Sequence, residues 1–299
     1  MRSTRRPIDG VLLLDKPCGP SSNAALQQVK WLYRADKAGH TGSLDPLASG
    51  LLPICFGAAT KLSVHLLTGD KGYRAIARLG IRTDTLDAQG RPISEGSIER
   101  IEVADIEAAL AAFRGEILQT PPMFSAIKQG GTPLYELARQ GIEVDRAVRQ
   151  VRIDRLTLRE WTPPFLLLDI DCASGTYIRS LVDDLGLALG CGAHVHALQR
   201  TWAAPFRQVD MVPMATLEAL LGDLPALDAF LLPIEVMVAG MPAVSISGAD
   251  LVRFSHGNPV VTAAPICQSI AVHDPNGRLL GIARSPDGIV IKAVKVLNR

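Results

Sequence analysis

The chain has 299 residues, 47% of them hydrophobic, and 31 basic against 30 acidic side chains give a net charge of +1. That length and apolar share allow a large domain with a sizeable core plus a smaller second one. The balance of charge excludes overall basicity as a route to nucleic acid, so contact with a polyanion has to come from local patches.

Arg2, Arg5 and Arg6 precede a short apolar run at 11–14, and Asp15 ends that run too soon for the core of a signal peptide. Residues 8–14 read as a buried strand, and Asp15-Lys16-Pro17 leads out of it into a Gly/Pro turn. Ser21 or Ser22 is placed to cap a helix running to about Tyr33, because a short side-chain oxygen there can accept from the first free N–H groups. Residues 39–50 follow as a glycine-punctuated loop and 58–67 as a second helix. Alternation predicts a strand at 73–79 and a polar turn at 87–90, with helical patterns at 103–113 and 134–139.

Residues 152–161 and 165–172 read as two strands joined at Pro163-Pro164. Residues 177–189 form an amphipathic helical pattern ending at Gly190, and 194–206 read as another strand. The interleaving predicts an α+β fold with a mixed, largely antiparallel sheet. Residues 210–241 turn rich in Leu, Ala and Pro, as a connecting segment does. The most apolar stretch, 225–246, contains Asp228, Glu235 and three prolines, so it does not read as a membrane span. From Pro242 one short helical piece at 248–255 precedes short strands and turns, the texture of a small β-barrel. Cys18, Cys55, Cys172, Cys191 and Cys267 are odd in number and never form a C-x-x-C pair, which fits reduced thiols in a cytoplasmic protein.

Neither a G-x-x-x-x-G-K-[ST] loop nor an H-E-x-x-H pair is present, so phosphate-loop and zincin chemistry have no anchor. Cys191, His194 and His196 lie close in sequence, but the histidines alternate along an expected strand with no second ligand cluster, and no metal is expected there. The densest group of reactive and flexible residues is Gly39-His40-Thr41-Gly42-Ser43-Leu44-Asp45-Pro46-Leu47-Ala48-Ser49-Gly50. Its glycines permit positive φ and close approach of a ligand, and Pro46 biases Asp45 toward an extended backbone that would present the carboxylate rigidly. The same composition also fits a plain turn. Between Arg139 and Arg159 six arginines face three acids (Glu143, Asp145, Asp154), which is either a basic strip hidden by the overall charge or a solvated face.

The run GHTGSLDPLASGLLPICFGAATK, His40 and Asp45 included, resembles the signature loop of the bacterial tRNA pseudouridine-55 synthases, the TruB family. LLLDKPCGPSS at 12–22, KGYRAIARLGIRTDTLDAQG at 71–90 and PPMFSAIK at 121–128 match the same family in the same order. So do PLYELARQGIEV at 133–144, SGTYIRSLVDDLG at 174–186 and CGAHVHALQR at 191–200, and the set spans nearly all of residues 10–202. Ser49 stands where the family usually has Thr, Phe124 where Tyr is common, and Ser174 where Lys is usual. The last change removes a possible phosphate contact.

The resemblance implies a pseudouridine synthase catalytic domain at 1–210, a connecting segment at 211–241 and a PUA-like RNA-binding module at 242–299. It implies isomerisation of uridine 55 in the T arm of tRNA, in the cytoplasm, with the T-arm stem-loop as partner and no obligate protein partner. By the same carry-over Asp45 is the catalytic carboxylate and Arg179 the cation that holds it ionised and oriented. Tyr73 would stack on the target base, Tyr177 and Leu198 would line the uracil pocket, and His40 would fill the space left by an extruded base. The chemistry breaks the N1–C1′ bond, turns the base and rejoins it through C5, which needs a positioned carboxylate and neither metal nor cofactor. Two other readings compete. A non-catalytic RNA binder on this scaffold would have no need of Asp45, Tyr73 and Arg179 together. An Asp-nucleophile phosphohydrolase would want a second carboxylate for Mg²⁺ beside the GSLDP loop.

Overall fold

The computed structural model describes residues 5–207 and 210–297, so Arg2 lies outside the described residues. The N-terminal half runs β1 (Gly10–Lys16), α1 (Ser22–Leu32), β2 (Ala38–His40), β3 (Ala48–Phe56), α2 (Ser63–Leu67), β4 (Lys71–Leu79), β5 (Ile81–Thr83), β6 (Pro92–Glu95), α3 (Val103–Ala111) and β7 (Gly115–Gln119). Then come β8 (Lys128–Gln129), β9 (Thr132–Pro133), α4 (Leu134–Arg139), β10 (Arg149–Thr162), β11 (Phe165–Cys172), α5 (Ile178–Ala188) and β12 (Ala193–Ala203). The remainder holds β13 (Val212–Pro213), α6 (Met214–Ala219), α7 (Leu224–Asp228), β14 (Ala243–Ser245), α8 (Gly248–Ser255), β15 (Val260–Val261), β16 (Cys267–His273), β17 (Leu279–Ser285) and β18 (Val290–Val296).

Among the described residues nine strands make one sheet in the order β13-β1-β3-β12-β4-β11-β10-β7, with β2 paired to β3 beside that path. Only β1 with β13 and β3 with β12 run parallel. The other neighbours are antiparallel, so the sheet is mixed and largely antiparallel, as the pattern predicts. One face is closed by helices. Ala75, Ala77 and Leu79 of β4 and Leu166, Leu168 and Ile170 of β11 share a core with Val29 of α1, Ile106 and Leu110 of α3, and Leu181 and Leu185 of α5. The apolar stripe of each helix meets the buried face of a strand whose side chains alternate.

The sequence reading passed over β2, β5 to β9, β13, α6 and α7, and at two further places it assigned a different element. The loop expected at 39–50 is in part strand, since β3 begins at Ala48 and continues through Leu51, Leu52, Pro53, Ile54 and Cys55, all buried. The helix expected over 58–67 is a 3₁₀ turn at Gly57–Lys61 followed by the five-residue α2. From β14 onward a second sheet runs β14-β16-β17-β18-β15 around its own core of Ile246, Phe254, Val260, Ile270, Val272, Ala283 and Ile291. Among the described residues β14 and β15 are its open edges, so the strand pairing is that of an open sheet rather than a closed ring. No helix of the described residues is long and apolar enough to cross a membrane.

Candidate active site

The loop that carries Asp45 is fastened from both sides. Ser21 caps α1 by accepting from Ala24 N at 3.1 Å, and its neighbour Ser22 takes hold of the loop instead. The buried Ser22 hydroxyl accepts from Leu44 N at 2.7 Å and donates to Leu44 O at 2.9 Å. Gly19 N donates to Pro46 O at 2.8 Å, and Ala48 N to Asp45 O at 3.0 Å. On the far side Arg200 of β12, 1% exposed, donates from Nε to Leu51 O at 2.7 Å, from Nη2 to Gly42 O at 3.2 Å and from Nη1 to Ser43 O at 3.5 Å. Gly50 has φ +95°, and a Cβ there would lie 2.3 Å from Arg200 O, so only glycine permits this parallel contact of β3 with β12.

Arg179, the second residue of α5, reaches the loop from below. Its Nε donates to Asp45 Oδ2 at 2.9 Å, and the arginine side chain is 6% exposed where the aspartate's is 43%. The rest of the guanidinium is spoken for: Nη2 donates to Phe124 O at 2.7 Å, Nη1 to Thr85 O at 3.1 Å, and Asp87 Oδ2 lies 3.7 Å from Nη1. Burial pushes the Asp45 carboxyl up from its ordinary value, Arg179 draws it back, and the negative charge of Asp87 raises it again. A carboxylate locked to a buried arginine on one oxygen and open to a cavity on its other side can act as nucleophile or base.

That cavity, about 260 Å³, is walled by Asp45, Tyr73, Tyr177, Arg179 and Leu198, with Lys71 and Arg200 also in its lining. Tyr73 lies on β4 opposite Ile170 and Arg200, and burial raises its phenol above the usual value. Tyr177 precedes α5 with its backbone gripped by Gln119, whose amide accepts from Tyr177 N at 2.8 Å and donates to Tyr177 O at 3.0 Å. Leu198 stands on β12 opposite Ala48 and Ala75. Five of the six residues named from sequence therefore share one cavity. His40, at the end of β2 opposite Ile54, is outside its lining. Ser49 lies on β3 outside this lining as well. Phe124 serves Arg179 through its backbone, which a Tyr would do equally, and Ser174 Oγ donates to Leu67 O at 2.7 Å on the rim.

Sequence reasoning passed over Asp87, Gln119, Arg200 and the buried Lys16 and Lys71. Asp87 reads as a turn residue, and its 4% exposure and contact with Arg179 are invisible without the fold. The strip between Arg139 and Arg159, left open between a basic patch and a solvated face, is largely paired. Arg146 pairs with Glu143, Arg152 with Asp154 and Asp70, Arg155 with Asp171, and Arg159 with Asp169, so four of its six arginines have acid partners. Cys191 Sγ and His194 Nδ1 bond backbone oxygens, His196 packs against Phe165 with ring centroids 4.9 Å apart and planes tilted by 51°, and no group of three potential metal ligands converges among the described residues.

Comparison with known proteins points one way. The model of the TruB family pseudouridylate synthase N-terminal domain matches residues 30–178, and that of the tRNA pseudouridylate synthase B C-terminal domain matches 179–239. Their border falls inside α5, although β12 beyond it sits in the middle of the sheet, so it is no structural boundary. The chain is 48% identical over 290 residues to tRNA pseudouridine synthase B of Pseudomonas aeruginosa, covering 96% of this chain and 95% of that protein. It is 50% identical over 281 residues to the protein of the same name from Coxiella burnetii, covering 93% and 91%. Its fold matches a chain in the crystal structure of a Cbf5-Nop10-Gar1 complex with TM-score 0.77 at 26% identity, over 97% of this chain and 85% of that one.

Proposed function

The chain belongs to the TruB family of pseudouridylate synthases, and from that premise we propose that it converts uridine 55 in the T arm of tRNA to pseudouridine. The observation that carries the reading is the 2.9 Å ion pair of Asp45 with the buried Arg179, set in a cavity walled by Tyr73, Tyr177 and Leu198. A space of about 260 Å³ suits one base turned out of its stack rather than a helix or a larger ligand.

In this reading Asp45 attacks C1′, or takes the C2′ proton, as the N1–C1′ bond breaks. Arg179 keeps Asp45 ionised and aimed, with Asp87, Thr85 O and Phe124 O holding the guanidinium in turn. Tyr73 stacks on the base near C5, while Tyr177 and Leu198 confine it until C5 meets C1′. His40, beside the cavity, fills the gap in the RNA stack. No step calls for a metal, a cofactor or a protein partner, and the enzyme works in the cytoplasm on the T-arm stem-loop. The division proposed is a catalytic unit at 1–210, a connecting segment at 211–241, whose β13 and residues Met214, Leu217 and Leu227 join the catalytic sheet and core, and a PUA-like RNA-binding module at 242–299.

The test is release of C5 tritium from a labelled tRNA transcript in the presence of EDTA and without any added small molecule. Release is expected from wild type, and none when uridine 55 alone is replaced by cytidine. A requirement for metal would remove the carboxylate mechanism, and undiminished release from the substituted transcript would remove the position.

A further inference from the structure

Three cations near the cavity have no acid of their own. Lys16, Lys71 and Arg200 are 0%, 8% and 1% exposed. The ion pairs at this site belong to Arg179, with Asp45 and with Asp87. Among the described residues no carboxylate oxygen lies within 4.0 Å of the other three. Their hydrogen bonds go mainly to backbone carbonyls instead, and Arg200 also meets the Tyr73 phenol. Lys16 Nζ donates to Pro17 O and Pro20 O, both at 2.8 Å, and Lys71 Nζ to Leu67 O at 3.2 Å and Gly69 O at 2.6 Å. Arg200 donates to Leu51, Gly42 and Ser43, as described. Carbonyl dipoles tether a cation without neutralising it, and a buried cation without a counter-charge is unfavourable. Such an arrangement suits a site whose anion arrives with the substrate.

Two of the three side chains come close beside Gly42. A Cβ built on Gly42 would lie 3.8 Å from Arg200 Nη1 and 3.9 Å from Lys71 Cε, and Gly42 has φ +102°. Both residues line the same cavity as Asp45 and Tyr73, whereas Lys16 is not part of that lining. We propose that Lys71 and Arg200 form a subsite for negative charge that the substrate brings into the cavity, and that this charge is the one left on the uracil ring when it parts from the sugar.

The inference rests on the pseudouridine synthase reading. When N1–C1′ breaks, the bonding pair leaves on the base, which becomes a uracil monoanion with charge shared over N1, O2 and O4. On one route a carboxylate oxygen of Asp45 takes its place at C1′; on the other a C2′ proton passes to Asp45. C5 then bonds C1′, the carboxylate is released or returns its proton, the C5 proton is lost and N1 gains one. The anion is common to both routes and lasts until the new C–C bond closes. Fixed positive charge in a site that excludes water is worth most at such a moment. A backbone phosphate would bring the same chemistry, but it is met by side chains that reach out of a base pocket, and these two are buried within it.

The experiment compares wild type, Lys71→Met and Lys71→Arg under single turnover on a tRNA transcript carrying uridine or 5-fluorouridine at the target, together with the Kd for each. Fluorine makes the base a more stable anion and so less dependent on outside help. Lys71→Met is expected to lose about 100-fold in the rate of base departure with uridine and about tenfold with 5-fluorouridine, at unchanged Kd, while Lys71→Arg recovers most of the rate. The ratio of the two substrates is taken within each variant, so any loss of folded protein cancels. Weaker binding with equal losses for both bases overturns the assignment to the ring and gives the charge to a phosphate. No change in rate or binding overturns the subsite. A wild-type protein that makes no pseudouridine overturns the function proposed above instead.

Discussion

Burial raises the Asp45 carboxyl above the usual carboxylate range, and the Arg179 guanidinium, 2.9 Å away, draws it part of the way back. Attack or proton abstraction needs the ionised form, so activity falls as pH drops through that raised value, at a higher pH than an unperturbed aspartate would give. Replacing Arg179 by Gln removes the lowering influence, and the acid limb of kcat/KM should move to still higher pH; an unmoved limb would mean that another group sets it. Asp45→Asn keeps shape and polarity while removing the charge. It should bind tRNA about as tightly as wild type and lose several orders of magnitude in turnover. Retention of more than about a tenth of the rate, a loss under about 1.4 kcal/mol, would make Asp45 an ordinary turn residue. Asp45 and Arg179 were named through the family resemblance of the runs they sit in, since composition alone fits a turn and a surface arginine. Arg200 and Asp87 were not, because an arginine serving carbonyls and a buried aspartate leave no pattern; HALQR reads as a strand and TLDAQG as a turn until the chain is folded.

At the scale of elements, the strands and helices with strong periodicity were readable, and β3 was not. The opening Ala-Ser-Gly and Pro53 argue for a loop, against the short apolar run of residues 51–56. The strand survives because Pro53 falls at a gap in pairing. On that side β12 meets Ala48 to Gly50 and β2 meets Ile54 to Phe56, so the missing N–H has no partner to lose, while Pro53 O still accepts from Thr41 N at 3.2 Å. Being buried on both faces, the strand also shows no alternation to betray it. The junction of α1 with the Asp45 loop gives a prediction at this scale. Ser21→Ala removes only a helix cap and should cost about 1 kcal/mol without touching kcat. Ser22→Ala strands the buried Leu44 N–H and should cost about 1–3 kcal/mol. It should also lower kcat, because the residue it releases adjoins Asp45. Denaturant midpoints and turnover of the two variants, side by side, decide it; equal effects on kcat would mean that the loop holds its shape without Ser22.

At the scale of the whole molecule, a net charge of +1 hides an uneven distribution, for residues 242–299 carry six basic against three acidic side chains. With four of the six arginines of the Arg139–Arg159 strip paired to acids, this module is the better place to look for affinity toward RNA. It is not merely appended. Ala271, Leu279, Ile282 and Leu297 pack into one cluster with Val11 and Leu13 of β1, Leu51 and Cys55 of β3, and Ile234, Met237 and Val238 of the connecting segment. Lys61 Nζ also donates to Val296 O at 3.3 Å, and Leu279 N to Glu235 Oε1 at 3.2 Å. The change of texture near residue 240 was visible in the sequence, whereas the shared core was not, because nothing local marks which apolar residues face another domain. A chain ending at Met241 keeps the sheet and all the proposed catalytic side chains but uncovers one face of β1 and β3. Leu279, Ile282 and Leu297 stabilise by at least about 1.5 kcal/mol each when fully buried, so the truncated chain should fold with a Tm lower by roughly 10 °C or more and bind tRNA more weakly. Ile282→Ala in the full chain should lower Tm by part of that amount while leaving tRNA affinity near wild type, since it thins the shared core and removes no charge. An unchanged Tm on truncation would mean that the two units fold independently and that this contact contributes little; loss of affinity in Ile282→Ala would mean that the packing itself aims the module at the RNA.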